Sequence, residues 1–295
     1  MPNPFALTGF QFLAFYLLLG FIVNWAVRKW IRTREVAASA ASGLPAPQLA
    51  SDPYLVAYLR GGAKEAMRVA TIALVDRGLL KAEGNSLKSK NGKVMELVNR
   101  PIEKAILGRY MQGGDADAIF ADPKATAACE QYKSTLIQHR LIADGDVRFE
   151  RLTPIVLGVG ALALCSFTKV QIAFSQGRHN VGFLIALTLI FSFFVLAVYF
   201  KSTTGSGDAM LADLKLLFAK LKSGAKKLSA GGKTNEAALL AAVFGMAALP
   251  AAAFPFVNKL YPAQSASTGS SGSDSSSSSC GSSCGGGCGG GGCGG

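Results

Sequence analysis

The sequence predicts a mostly α chain: a multi-span helical membrane protein of three or four spans, with a small cytoplasmic α+β, winged-helix-like domain and a disordered Gly/Cys tail. Three observations predict it. Long uncharged apolar runs alternate with basic stretches, and only 16% of the 295 residues are charged while 50% are hydrophobic; a soluble domain carries about 25% charge. Lys and Arg collect at one end of each run. Residues 265–295 are almost wholly Ser, Gly and Cys.

The first run, residues 5–27, has 23 residues and no charge. As a helix it is about 34 Å long, enough for a hydrocarbon core of about 30 Å. Trp25 and Trp30 lie near one end, as interfacial aromatics do. The first charge is Arg28, so the polarity is the reverse of a cleaved signal, and the run reads as an uncleaved anchor with its N-terminus outside. The second predicted span is residues 153–172, interrupted by Lys169, which can snorkel to the headgroups. The third is residues 181–200, reached through a short connector, Ser175 to Asn180. Together they make a helical hairpin in which each helix satisfies its own backbone. The fourth candidate, residues 237–257, is Ala-rich and carries Pro250 and Pro255, so it reads as a span or as an interfacial segment.

Arg28, Lys29, Arg32 and Arg34 follow the first span. Arg148 and Arg151 precede the second, and Lys201 and Lys215 follow the third, while the connector holds only Arg178. The bias places residues 28–152 and 201–236 in the cytoplasm. The same bias accounts for the net charge of +12 without nucleic acid as a partner.

Residues 28–51 read as a basic stop followed by an Ala/Ser/Pro linker, and residues 52–151 as the cytoplasmic domain. Asp52-Pro53 is an N-cap with Pro at the first helical position, and it opens a short helix ending at Gly61-Gly62. A second helix runs to Arg77, with Gly78 beyond its end. Two short strands flank Gly84-Asn85. Pro101 opens a helix to about Met111, and Asp122-Pro123 opens another to about His139. Leu141–Ala143 and Val147–Phe149 read as a second hairpin around Asp144-Gly145-Asp146. Ala73-Leu-Val-Asp-Arg-Gly-Leu-Leu80 and Thr135-Leu-Ile-Gln-His-Arg-Leu-Ile142 form a weak internal repeat.

Helix followed by small hairpin resembles the winged-helix layout, for which Arg68, Arg77, Lys81, Lys88, Lys90 and Lys93 would be the DNA-facing bases. Residues 28–151 hold 20 bases but 14 acids, which favours a protein partner over DNA. Residues 207–228 form a basic amphipathic helix, with Leu211, Leu214, Phe218 and Leu221 on one stripe. That stripe packs on the inner leaflet or on the soluble domain.

The tail carries Cys280, Cys284, Cys288 and Cys293. They read as thiolate ligands for a soft metal such as zinc or copper, as disulfide partners, or as sites for a tail-modifying enzyme. A flexible solvated tail with no fixed ligand is the fourth reading. Cys129 and Cys165 read as packing residues.

Asp52-Pro-Tyr-Leu-Val-Ala-Tyr-Leu-Arg-Gly-Gly62, Glu65-Ala-Met-Arg-Val-Ala70, Val75-Asp-Arg-Gly-Leu-Leu80, Gly177-Arg178, Gly207-Asp-Ala-Met-Leu211 and the Ser/Cys/Gly tail carry a resemblance over nearly the whole chain. The sequence resembles a family of uncharacterised bacterial membrane proteins built on this layout. The resemblance implies the bacterial inner membrane, and it suggests an association of such tails with peptide-modification systems. It carries no activity, cofactor or catalytic residue to this chain.

The sequence holds no P-loop, dinucleotide fingerprint, Gly-x-Ser-x-Gly or His-Glu-x-x-His. His139 and His179 lack a flanking acid or nucleophile, and Asp115, Asp117 and Asp122 lack EF-hand spacing. Lys169 is the sole charge in the first three spans, which does not favour a proton-coupled transporter. The chain is thus expected to be no enzyme but a membrane-anchored interaction or scaffold protein presenting a thiol-rich tail. The alternatives are a precursor whose tail is modified, or a metal-handling membrane protein. The expected partners are the lipid bilayer and a protein bound by the cytoplasmic domain.

Overall fold

The computed structural model describes residues 9–39, 51–90, 92–175, 182–224 and 235–262. In chain order the elements are α1 (Gly9–Ser39), α2 (Pro53–Asp76), β1 (Leu80–Glu83), β2 (Ser86–Ser89), α3 (Pro101–Arg109), β3 (Gly114–Asp115), α4 (Pro123–Gln138), α5 (Gly145–Ser175), α6 (Gly182–Leu196), α7 (Gly205–Leu217), α8 (Ala219–Ser223), α9 (Glu236–Phe244) and α10 (Pro255–Leu260). Short 3₁₀ turns cover Gly92–Leu97, Ala116–Ala121 and Met246–Ala248. The fold is mostly helical with one small antiparallel sheet, in the order β1-β2-β3.

Helices α1, α5 and α6 form an apolar bundle. Phe12, Tyr16, Leu162, Leu184, Leu187 and Phe191 fill one level of it. Val27, Ile31, Ile155 and Val195 fill the other. The helices approach closely where a side chain is missing: a Cβ on Gly20 would lie 2.5 Å from the Phe191 ring, and one on Gly158 would lie 2.8 Å from Val27. Residues 10–38 and 145–175 are each long and apolar enough to cross a membrane, with mean hydropathy 1.8.

Helix α6 is shorter than the predicted span 181–200. Its 15 residues rise about 22 Å, and residues 197–200 are turns. The predicted second hairpin is also corrected. Residues 147–149 are the start of α5, which is continuous from Gly145. Ile142 finds its antiparallel partner in Thr203 instead, across the whole α5–α6 hairpin. The connector residues 176–181, His179 among them, lie outside the described residues, as do residues 5–8 and most of the expected linker.

The remaining elements share a second core. Asp52 caps α2 by accepting from the Tyr54 N–H at 2.9 Å, and Pro53 occupies the first turn, where its missing N–H costs nothing. The expected break at Gly61-Gly62 is a kink inside one helix, with Gly62 at φ 74°, ψ −165°. That backbone region is open essentially to glycine alone. The hairpin forms as expected, pairing Leu80 with Ser89 and Glu83 with Ser86 around Gly84-Asn85. Asp122 caps α4, accepting from Lys124 N at 2.7 Å and Ala125 N at 3.3 Å.

The internal repeat is structural. After α2, Gly78 N–H donates to Val75 O and Leu79 N–H to Leu74 O, both at 2.9 Å; after α4, Arg140 N–H donates to Ile137 O at 2.8 Å and Leu141 N–H to Leu136 O at 2.9 Å. Both are Schellman closures, with Gly78 at φ 70° and Arg140 at φ 53°.

Residues 237–257 are not a span. Helix α9 has nine residues, about 13 Å of rise. Leu240, Ala241, Ala242 and Val243 are fully buried in the same core as Val56, Ala70 and Leu74 of α2. After Gly245 the chain turns, and Phe254, Val257, Leu260 and Tyr261 close that core. The predicted basic helix 207–228 is α7 and α8 with a break at Phe218, and its apolar stripe faces inward: Leu211 and Leu214 are buried in the domain core. Residues 225–234 lie outside the described residues.

Gly62→Ala forces a Cβ into a conformation that costs about 1–3 kcal/mol. Gly145 has open space around its Cβ position and no positive φ. Urea melts of the detergent-solubilised protein will therefore show a loss of that size for G62A and almost none for G145A.

Candidate functional site

The predicted ligand set, Cys280, Cys284, Cys288 and Cys293, lies outside the described residues. Among the described residues no three or more His, Cys, Asp or Glu side chains converge on a metal position. Asp122 is committed to its helix cap and Asp115 accepts from Asn85, so these acids serve separate local contacts. His139 is the C-cap of α4. Cys165 is half-buried on α5 and Cys129 is buried on α4. Burial, with Glu130 adding to it, pushes the Cys129 thiol up to about 11.

The structure gathers polar groups that are far apart in the sequence. The most buried group joins the apolar bundle to the domain. Arg151, on the second turn of α5, is 3% exposed at its side chain, and Glu35, near the end of α1, is 9% exposed. Arg151 Nε donates to Glu35 Oε1 at 2.6 Å. Its Nη1 reaches Lys201 O at 2.6 Å and Val198 O at 3.4 Å, and its Nη2 reaches Thr203 O at 2.9 Å. Glu35 Oε2 accepts the Gly205 N–H at 2.5 Å, at the start of α7, where the helix dipole favours an anion. Thr204 caps α7 by accepting from Gly207 N–H at 3.1 Å and donates to Arg140 O at 2.7 Å. Ala143 N–H donates to Ser202 O at 2.7 Å. A cleft beside this pair, lined by Glu35, Ala38, Arg140, Val147, Glu150 and Thr204, encloses ≈ 10 Å³, room for about one water.

A second network surrounds the motif at the start of α2. Asp52 pairs with Arg100, whose guanidinium lies 4.9 Å over the Tyr54 ring. Tyr54 donates to the buried Glu103 at 2.5 Å, and Arg77 pairs with the same carboxylate. Burial and then the Glu103 charge hold the Tyr54 phenol far above its ordinary value, so it remains a donor at any physiological pH. Arg60 and Arg68 share Glu65, and Arg68 lies 5.0 Å over Phe120 and 5.6 Å over Tyr261. Burial lowers the Arg60 guanidinium from its ordinary value, against the pull of Glu65.

A third group ties the bundle internally. Tyr16 Oη donates to Leu162 O at 3.1 Å and lies 2.8 Å from Thr188 Oγ1, which is 2.9 Å from Ser166 Oγ. Sequence reading missed all three residues, and it treated Arg151 only as a topology signal. Of the bases proposed to face DNA, Arg68 and Arg77 are held in internal ion pairs, and Lys81 pairs with Glu83 at 2.8 Å.

Comparison with protein-family models, curated sequences and solved structures found no match.

Replacing Arg151 by Leu leaves the buried Glu35 carboxylate with only the Gly205 amide and takes the guanidinium donors away from the Lys201 and Thr203 carbonyls. Breaking such a buried pair costs about 3–5 kcal/mol. Arg151→Lys will recover only part of it, because one ammonium cannot reproduce the fork. Thermal unfolding in detergent will rank wild type above R151K, and R151K above R151L. For Cys129, thiolate dominates only above a pH of about 11. At pH 8 about one molecule in a thousand is thiolate, so maleimide will modify it only after denaturation.

Proposed function

We propose that this chain is a membrane-anchored interaction protein of the bacterial inner membrane. The apolar bundle lies in lipid, and the helical domain is held rigidly at the cytoplasmic face. One observation carries the reading: only 22% of each long apolar window is buried. A core helix of a water-soluble protein is mostly buried. Here Leu18, Phe21, Leu164, Phe167, Leu189 and Phe193 point outward, each at least 60% exposed, and water is a poor solvent for so broad an apolar belt. Trp25 and Trp30 are exposed beside the basic end of α1, with Lys29 4.7 Å over Trp25 and Arg34 5.2 Å over Trp30. Amphipathic rings and cations together suit the headgroup level.

The basic residues at that end favour a cytoplasmic domain. A protein partner fits the domain better than nucleic acid, because several of its bases are already paired with its own acids. Met95, Leu97 and Met111 are exposed on the domain and offer a partner apolar contacts, with Leu97 71% exposed. Unbranched Met side chains adapt readily to a partner surface.

After an alkaline carbonate wash the full-length protein will stay in the membrane pellet, and a reporter fused after residue 150 will be active only in the cytoplasm. Release into the supernatant would remove the reading. A photo-crosslinking residue in place of Leu97 will give a discrete protein adduct in intact membranes; the absence of any adduct would argue against an interaction role.

A further inference from the structure

One face of α1 changes its chemistry in the order of a phospholipid, from chain to headgroup. Leu18, Phe21 and Ile22 are each more than half exposed, and so is Trp25, one turn further on. Arg28, Lys29 and Arg32 follow, all exposed. Neighbours three and four residues apart share a helix face, so these side chains form one continuous stripe. The other side of the helix is committed to the fold. Val27 and Ile31 lie in the bundle core, and Glu35 pairs with Arg151.

Trp25 sets the depth of the stripe. An indole ring prefers the boundary between hydrocarbon and headgroups. Beyond it Arg28 and Lys29 rise by about 4.5 and 6 Å, into a headgroup layer about 5–8 Å deep. Arg32 stands one turn higher. Side chains on a helix lean toward its N-terminus, which for α1 is the end in lipid, so all three cations lean back toward the headgroups. Lys29 shows the effect: its Nζ lies 4.7 Å over the Trp25 ring, one turn back. Among the described residues none of the three pairs with a carboxylate, whereas Arg60, Arg68, Arg77, Arg100 and Arg151 all do. A zwitterionic headgroup would bring its own ammonium against three cations. A net-negative headgroup brings none to oppose them.

We propose that this stripe binds an anionic phospholipid, with Arg28, Lys29 and Arg32 on its phosphate and Leu18, Phe21 and Ile22 along an acyl chain. The site rests on the membrane reading above and gives it a lipid class.

The chain has two tryptophans, and Trp30, five residues beyond Trp25, lies on another side of the helix. In Trp30→Phe, the fluorescence of Trp25 alone reports the stripe. The full chain with this change is reconstituted in phosphatidylcholine vesicles. These hold a minor share of phosphatidylglycerol or of phosphatidylcholine, brominated near the headgroup end of its chains. Brominated phosphatidylglycerol will quench Trp25 with a relative association constant at least about fivefold that of the brominated phosphatidylcholine, the effect of roughly one cation at a membrane surface. In the same background R28Q/K29Q/R32Q will abolish the preference. Glutamine keeps the Cγ with which Arg32 covers Gly205, so thermal unfolding in detergent will be unchanged. K64Q/K104Q/K124Q removes the same charge from exposed positions on the domain and will keep the preference. Equal quenching by the two lipids, or an equal fall in both triple variants, would overturn the site and leave the membrane reading standing. A photo-crosslinker at position 28 that captures another protein instead of phospholipid would do the same. Quenching by neither lipid would remove the membrane reading and the site with it.

Discussion

The fold depends on the Arg151 side chain being fully partnered. Taking a guanidinium and a carboxylate out of water costs several kcal/mol per ion, and their mutual attraction compensates only when the other hydrogen-bonding positions are filled as well. Here they are. Glu35 takes one edge of the fork, the turn after α6 supplies backbone carbonyls to the rest, and the second Glu35 oxygen takes the Gly205 amide. The partners of this α5 side chain come from α1 and from the segment between α6 and α7. One side chain thus fixes the apolar bundle relative to the domain, and it explains why α6 stops at Leu196: the backbone beyond turns to face Arg151.

The repeated Schellman closures explain where the bundle is inserted. In the first unit the strand after the closure pairs with its neighbour across a two-residue turn. In the second unit the corresponding residue, Ile142, pairs with Thr203, and everything between them is the α5–α6 hairpin. An antiparallel bridge requires only that its two sides meet, and the length of chain between them changes loop-closure entropy slowly. The apolar hairpin therefore occupies the position of a hairpin turn, with its two ends brought together by Ala143–Ser202 and Thr204–Leu141 backbone hydrogen bonds. The internal similarity in sequence marks this junction.

What the sequence showed plainly was local chemistry. Asp-Pro caps, the interruption at Gly61-Gly62, the Gly84-Asn85 turn and the close of α2 at Gly78 each depend on a residue type with a particular backbone preference, and each is found, the interruption as a kink rather than a stop. What it hid was long-range. An Ala-rich run such as 237–257 satisfies the same apolarity test in lipid as in a protein core, and hydropathy cannot tell the two solvents apart. The deciding fact is the facing surface of α2, far away in sequence. Val147 to Phe149 looked like the second strand of a hairpin around Asp144-Gly145-Asp146, but the helix that begins at Gly145 absorbs both the turn signal and the strand. Glu35, Arg151, Tyr16, Thr188 and Ser166 were unreadable as groups, because nothing in their spacing predicts that they meet.

The most distinctive block of the sequence, Asp52 to Gly62, has a structural explanation that also bears on function. Asp52 caps α2 and pairs with Arg100, Tyr54 closes over Glu103, Arg60 reaches Glu65, and Gly62 turns the helix. The polar side chains among these residues are engaged by partners within the domain. Residues committed to internal contacts are poor candidates for recognising a ligand. Recognition by this protein is therefore better sought outside this block, at exposed side chains such as Leu97.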